Sequence, residues 1–243
     1  MEIFTGKNKE LSDKKAFEII KTQVLKKPDS LIGIAVGKTT DGLYKLISKD
    51  AVKSTKKWRK IKLFQIDENL GAHPSSPVSF NFEIRKELKQ LLNILNSKNI
   101  FLMDGTEKPK KTIKEAYKFI KSNGGIDLII LGIGPEYDPH VAYNTTGKSA
   151  LNSRMRVVDL HPKVIEKLVR AYHGKPQRKI KGITLGIKDI LETKKALLIA
   201  YGKEKAKSFK LILKKKVNMK KGSVTALLLH KNLEIVVDKD VVK

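Results

Sequence analysis

Cysteine is absent from the 243 residues, which excludes disulfides and thiolate metal ligands. Aromatic residues are sparse at 6% of the chain, with a single tryptophan. Arginine is scarce as well, occurring only at Arg59, Arg85, Arg154, Arg156, Arg170 and Arg178. Acidic residues are outnumbered, 25 Asp and Glu against 51 Lys and Arg, which gives a formal net charge of +26. Such a balance on its own points to nucleic acid. The lysines, however, are spread over most predicted helices, as at Lys14-Lys15, Lys56-Lys57, Lys110-Lys111 and Lys214-Lys215-Lys216, without an interleaved aromatic stripe. No helix-turn-helix, zinc-finger or RNA-recognition pattern accompanies them, so nucleic acid is not expected as the main partner. The field should still attract anionic substrates. No apolar run approaches the roughly 20 residues of a bilayer span, and Met1 to Lys7 lack a signal-peptide core. The expectation is a soluble, cytoplasmic protein without a membrane partner, its homo-oligomeric state left open.

What is present is an alternation of short apolar runs and helical patterns. Leu31 to Val36, Ile61 to Ile66, Ile126 to Leu131, Arg156 to Leu160, Gly182 to Leu185, Ala196 to Tyr201 and Leu233 to Val237 read as strands. Between them, helices are predicted at Ser12 to Lys26 (with Phe17, Ile20, Val24 and Leu25 on one face), Thr40 to Val52, Val78 to Asn96, Thr112 to Asn123, Pro162 to Tyr172 and Lys203 to Lys215, with a short one ending near Leu191. This order predicts an α/β, Rossmann-like three-layer sandwich with a mostly parallel sheet and helices on both faces. No glycine- and proline-rich linker divides it, so a single domain over residues 1–243 is expected.

Four segments carry chemistry at strand ends, where open α/β sheets place their ligand crevice. Gly37-Lys38-Thr39-Thr40 turns from a strand into a helix and presents N–H groups and hydroxyls to an anion, or simply caps the helix. It resembles the end of a nucleotide-binding loop, but position 32 is Ile32 where that pattern requires glycine, so a nucleotide site is not expected. Asp67-Glu68 follows a buried strand; Asp67 continues the alternation into the crevice and can serve as a base next to a carbonyl or simply cap a turn or helix, while Glu68 points the other way. In Gly132-Ile133-Gly134-Pro135-Glu136-Tyr137-Asp138-Pro139-His140, a spacing of two puts Asp138 and His140 on one side of an extended loop. The scarce Arg154, Arg156 and Arg170, with Lys205 near a helix start, suggest contacts to a phosphate, although charged surface faces explain each singly.

Together with Ser153-Arg154-Met155-Arg156, Gly182-Ile183-Thr184-Leu185-Gly186-Ile187, Gly202-Lys203-Glu204-Lys205 and Val224-Thr225-Ala226-Leu227-Leu228-Leu229-His230, these motifs occur in an order that resembles the glucosamine-6-phosphate deaminase family, which shares its superfamily with the 6-phosphogluconolactonases. The resemblance covers nearly the whole chain. It implies the deaminase/phosphogluconolactonase-like fold, a sugar-phosphate substrate, no organic cofactor and no metal. Thr39, Arg170 and Lys205 match phosphate-holding positions, with the backbone N–H groups of Gly37, Lys38, Thr39 and Thr40 adding to them. Asp67 matches the base that removes the proton from C2 of the opened amino sugar, and His140 the ring-opening acid-base group with Asp138 beside it.

Departures from the family pattern lie in two places: the first phosphate turn carries Lys38 and Thr40 where a small residue and proline are usual, and the Asp138-Pro139-His140 loop differs more. That loop is about two residues longer than usual, Pro139 replaces a glycine, and Thr145 stands where the family has a glutamate that charges the histidine. A threonine hydroxyl contributes no such charge. Whether a carboxylate such as Glu136 or Asp138 takes its place is left open by the sequence, and Glu68, Glu136 and Thr145 are candidates for supporting residues. Lactone hydrolysis, which does not use that glutamate, and a non-catalytic sugar-phosphate sensor are the alternative readings.

Overall fold

The computed structural model describes residues 1–171 and 180–242. In chain order the elements are β1 (Glu2–Gly6), α1 (Lys9–Lys26), β2 (Leu31–Ile34), α2 (Asp41–Lys53), α3 (Thr55–Trp58), β3 (Lys62–Gln65), β4 (Asp67–Asn69), α4 (Phe80–Glu87), α5 (Lys89–Ile94), β5 (Ile100–Phe101) and α6 (Pro109–Ser122). There follow β6 (Leu128–Gly132), β7 (Arg156–Asp159), α7 (Pro162–Ala171), β8 (Lys181–Thr184), α8 (Ile187–Leu191), β9 (Ala196–Ala200), α9 (Ala206–Leu213), β10 (Leu233–Asp238) and α10 (Lys239–Val242).

Among the described residues, seven strands form one sheet in the order β1-β10-β9-β6-β2-β3-β5. Every pairing in it is parallel. Its strands carry branched apolar residues on both faces because helices cover both. Along β6, Ile129 and Leu131 pack with Ala116 of α6, Ile190 of α8 and Phe209 of α9. Leu128 and Ile130 pack on the other side with Ile20 and Val24 of α1, Tyr44 and Ile47 of α2 and Leu91 of α5. This alternation of two is the strand period. Each such side chain, fully buried, contributes roughly 1.5–3 kcal/mol relative to exposure. The three-layer, mostly parallel architecture expected from the sequence is present.

The sheet order reverses at β2 and β6. From β2 the chain moves outward through β3 to β5; from β6 it moves the other way through β9 and β10. The segments after β2, β3, β6 and β9 therefore meet at the carboxyl edge of neighbouring strands, where the loops diverge and leave a crevice.

Several boundaries differ from the sequence reading, for physical reasons. The helix expected over 78–96 breaks at Leu88, whose φ −105° and ψ 20° leave the helical region, into α4 and α5. Ile84, Leu88 and Leu91 are all buried across the break, so the apolar pattern continues through it. The helix expected over 203–215 is a 3₁₀ turn, Lys203–Lys205, followed by α9. Leu25 is 59% exposed because α1 buries a narrow stripe of Ala16, Ile20 and Val24, and one residue further lies about 100° around the helix. Strands β7 and β8 are not in the main sheet: with β4 they form a separate antiparallel sheet, and short apolar runs do not encode which sheet a strand joins. The edge strand β1 has Glu2 to Thr5 all exposed and thus shows no buried signature, yet it pairs with β10. Tyr172, expected to end a helix, and Arg178 lie outside the described residues.

Candidate active site

The turn after β2 is built on Gly37, whose φ of +138° disfavours any residue with a Cβ. Thr40 closes it, both its amide (2.9 Å) and its hydroxyl (2.8 Å) donating to the Gly37 carbonyl. The Thr40 hydroxyl is thereby spent and does not cap α2. Among the described residues the N–H groups of Lys38, Thr39, Asp41, Gly42 and Leu43 have no hydrogen-bond acceptor. Free N–H groups at the positive end of a helix of 13 residues form a receptor for an anion. Facing this turn, the segment after β9 pivots on Gly202 (φ +86°), whose amide donates to the Asp238 carboxylate at 3.1 Å. That pivot brings Lys205 to the wall of the same cavity.

Asp67 and Glu68 are adjacent, buried carboxylates in different surroundings. Glu68 accepts from the amides of Asn69 (2.7 Å), Phe80 (2.8 Å) and Asn81 (2.8 Å), from the Ser79 hydroxyl (2.8 Å) and from the Gln65 amide (3.0 Å). It is the anchor of the α4 N-terminus and does not reach the cavity. Asp67 lines the cavity, is 6% exposed, and its carboxylate receives no hydrogen bond among the described residues. Burial without donors disfavours the ionised form, and the Glu68 charge adds to this, so the Asp67 carboxyl is pushed up to about 8.

His140 stands on the same cavity wall. Its Nδ1 lies 2.9 Å from Asp138 Oδ2, an arrangement in which Nδ1–H donates to the carboxylate and Nε2 is left for a ligand. Asp138 is 1% exposed and also accepts from the Thr146 amide at 2.8 Å. Burial works to raise its carboxyl, but the His140 hydrogen bond and charge and the Thr146 amide outweigh that and hold it below the usual range. The loop is tight: a Cβ on Gly134 would stand 2.2 Å from the Asp138 carbonyl and 2.8 Å from His140 Cγ. From the far side Ser223 donates to the Asn144 carbonyl, and the Val224 amide donates to the Pro139 carbonyl at 3.1 Å.

Gly37, Lys38, Thr39, Thr40, Asp67, Glu136, His140 and Lys205 thus come together around one cavity of about 760 Å³. Others of the expected residues do not. Glu136 is on the rim but pairs with Lys207 at 2.5 Å, so it is Asp138 and not Glu136 that holds His140. Thr145 points away, its hydroxyl donating to the Asp159 carbonyl at 3.3 Å, and lines a separate cavity of about 200 Å³ with Arg156. Arg156 bonds Asn144 and Ser149 there, and Arg154 is held by Asp189 and Glu192, so neither faces the crevice. Arg170, near the end of α7, is exposed and does not line the cavity.

Sequence reasoning assigned no role to Tyr143, Phe80 or Tyr137, which also line the cavity. The Tyr143 hydroxyl donates to Asn69 Oδ1 at 2.7 Å, its ring lies 5.4 Å from that of Phe80, and its phenol is pushed well up by burial and then by the Asp67 and Glu68 charges. Its position in the motif after His140 was the one available signal.

A family model described as glucosamine-6-phosphate isomerases/6-phosphogluconolactonase matches residues 9–231. The chain belongs to this family. Within it, the chain is 33% identical over 241 residues to a protein of Clostridium botulinum named glucosamine-6-phosphate deaminase, covering 99% of this chain and 97% of that one. It is 31% identical to one of the same name from Thermoanaerobacter, covering 99% and 93%. Among solved structures of the family's fold, a monomeric glucosamine-6-phosphate deaminase superposes with a TM-score of 0.90 at 24% identity, covering 99% of this chain and 98% of that chain. A 6-phosphogluconolactonase from Trypanosoma brucei superposes with a TM-score of 0.76 at 17% identity, covering 99% and 97%.

Proposed function

We propose that this member of the glucosamine-6-phosphate isomerase/6-phosphogluconolactonase family is a deaminase that converts glucosamine 6-phosphate and water to fructose 6-phosphate and ammonia. The observation that carries the reading is Asp67, a buried carboxylate without hydrogen-bond donors on the same cavity wall as His140. A base for a carbon acid works best with a pKa near the operating pH, and burial supplies that.

In this reading the phosphate docks on the free N–H groups between Lys38 and Leu43, with Lys205 opposite. His140, oriented by Asp138, moves the proton between the ring and C1 oxygens so that the sugar opens. Asp67 removes the proton from C2, and the electron pair forms the C1–C2 double bond of an enolamine while the C1 carbonyl pair moves to O1, which takes a proton. Protonation at C1 then leaves an imine at C2; water adds to that carbon and the C–N bond breaks, releasing ammonia and the ketose. Fixing the phosphate holds C2 against the base, which replaces a bimolecular encounter by a positioned one. The reading also includes a single cytoplasmic domain. Relatives of similar length named glucosamine-6-phosphate deaminase support the deaminase reading.

One observation favours a second reading. The position of the family's glutamate is occupied by Thr145, turned away from His140, and the Asp138–His140 pair alone suits activation of water on a lactone. The two separate by assay of the purified protein. Release of ammonia together with fructose 6-phosphate from glucosamine 6-phosphate is expected. Inertness toward that compound with turnover of 6-phosphogluconolactone would replace the deaminase by the lactonase.

A further inference from the structure

Behind the two anion-facing segments lies a buried polar cluster that no step above uses. Asp13 of α1 is 4% exposed and ion-pairs with Lys9 at 2.6 Å. The pair rests on the backbone of Gly42: a Cβ there would stand 2.0 Å from Asp13 Oδ2 and 2.9 Å from Lys9 Nζ. Lys9 Nζ also lies 5.0 Å from the centre of the Tyr201 ring, and Tyr201 is 5% exposed. The Asp13 charge reaches the Tyr201 phenol, helping burial to raise it, so the two side chains are neighbours. Asp13 Oδ1 and the Tyr201 hydroxyl are both buried and have each other as polar neighbours.

Gly42 stands two residues beyond Thr40, and Tyr201 immediately precedes Gly202. One side-chain cluster therefore touches the backbone root of the turn after β2 and the root of the segment that carries Lys205. We infer that Lys9, Asp13 and Tyr201 clamp these two roots together and so make Asp13 a positioning residue for the phosphate group of the substrate. The inference rests on the reading of Gly37 to Leu43 and Lys205 as the phosphate site. Burying an ion pair and a phenol costs desolvation, and an apolar contact between α1 and the segment after β9 would avoid that cost. A polar cluster at this place has a geometric consequence that an apolar one lacks: the carboxylate is seated against a glycine backbone where nothing larger fits, which fixes α2 relative to α1. Lys9 has a second effect. A bare carboxylate near the amino end of α2 would compete with an incoming phosphate for the helix dipole, and the ammonium cancels its charge.

The test is the Asp13→Asn variant, compared with the parent by calorimetric titration with inorganic phosphate and by steady-state kinetics on glucosamine 6-phosphate. The expected result is a 5- to 20-fold weaker phosphate Kd and an equal rise in KM, with kcat within a factor of two. Unchanged phosphate affinity and KM, whether or not the melting temperature falls, would overturn the inference and leave Asp13 a structural residue. So would a fall in kcat at constant KM. Lys9 is half-exposed, and Lys9→Met provides the second variant, with a several-fold loss of phosphate affinity expected; an unchanged Kd there also counts against the clamp. Phosphate titration reads the clamp even if glucosamine 6-phosphate is not turned over, whereas failure of the parent protein to bind phosphate would remove the site reading itself.

Discussion

A carboxylate surrounded by apolar and carboxylate neighbours and given no donors is held protonated well into the neutral range, and Asp67 is such a group. Two consequences follow at this residue. Catalysis by its ionised form should give a log kcat/KM that rises with unit slope and levels off near pH 8, once the titrations of the substrate itself are divided out. A flat profile between pH 6 and 9 would remove Asp67 as the base. The folded state also binds this proton more tightly than the unfolded chain, where an Asp titrates near about 4. Asp67 therefore takes stability away from the unliganded fold as pH rises from about 4 toward 8. Asp67→Asn, which cannot ionise, should melt higher than the parent at pH 9, the difference shrinking to little at pH 5. Asp138 acts differently. It holds the Nδ1 side of His140 with a charged hydrogen bond, and Asp138→Asn keeps the shape but loses the charge. A fall in kcat of about 100-fold is expected, with phosphate affinity unchanged, since the acid-base group loses its orientation rather than the substrate its handle.

At the scale of elements, Glu68 shows how a site is held by what lies behind it. Its carboxylate satisfies the amides of Phe80 and Asn81 at the start of α4 and ties that helix to β4, immediately beside Asp67. Glu68→Gln turns one acceptor toward these donors into a donor, leaving buried N–H groups without partners. A loss of about 2–4 kcal/mol in urea unfolding is expected. A loss below 0.5 kcal/mol would show that α4 is anchored by other contacts. The five inner parallel strands were legible in the sequence because a strand buried on both faces is an uninterrupted run of branched residues, as in β6 and β9, whereas the edge strands β1 and β5 carry no such run. The antiparallel β4-β8-β7 sheet was not, since β7 is half-exposed and a short run does not encode which strand it pairs with. The convergence of Gly37 to Thr40, Asp67 and His140 was readable for the same reason as the main sheet: each follows a parallel strand, and parallel strands bring their carboxyl ends to one edge. Arg154 and Arg156 misled because scarcity of arginine says nothing about which carboxylate or amide claims it; Asp189, Glu192, Asn144 and Ser149 do so here.

For the molecule as a whole, the net charge of +26 acts on encounter and on the bound anion alike. Lysines dominate the surface, and the screening length falls from about 10 Å at 0.1 M salt to about 3 Å at 1 M. The Kd for inorganic phosphate should weaken several-fold between low and high salt, while binding of uncharged glucosamine analogues stays constant; equal salt effects on both would mean that the field has no part in capture. The same charge explains why composition alone pointed to nucleic acid, although the site it surrounds is a small crevice suited to a phosphorylated sugar. The central claim is that a buried Asp67 abstracts a proton from an amino sugar phosphate held by the α2 turn. Ammonia release from glucosamine 6-phosphate by the parent protein and by Asp67→Asn at equal phosphate saturation tests it most directly. The account predicts steady ammonia production by the parent and a loss of at least about 1,000-fold in the variant with phosphate binding intact. Equal rates from the two proteins, or no ammonia from either, would contradict it.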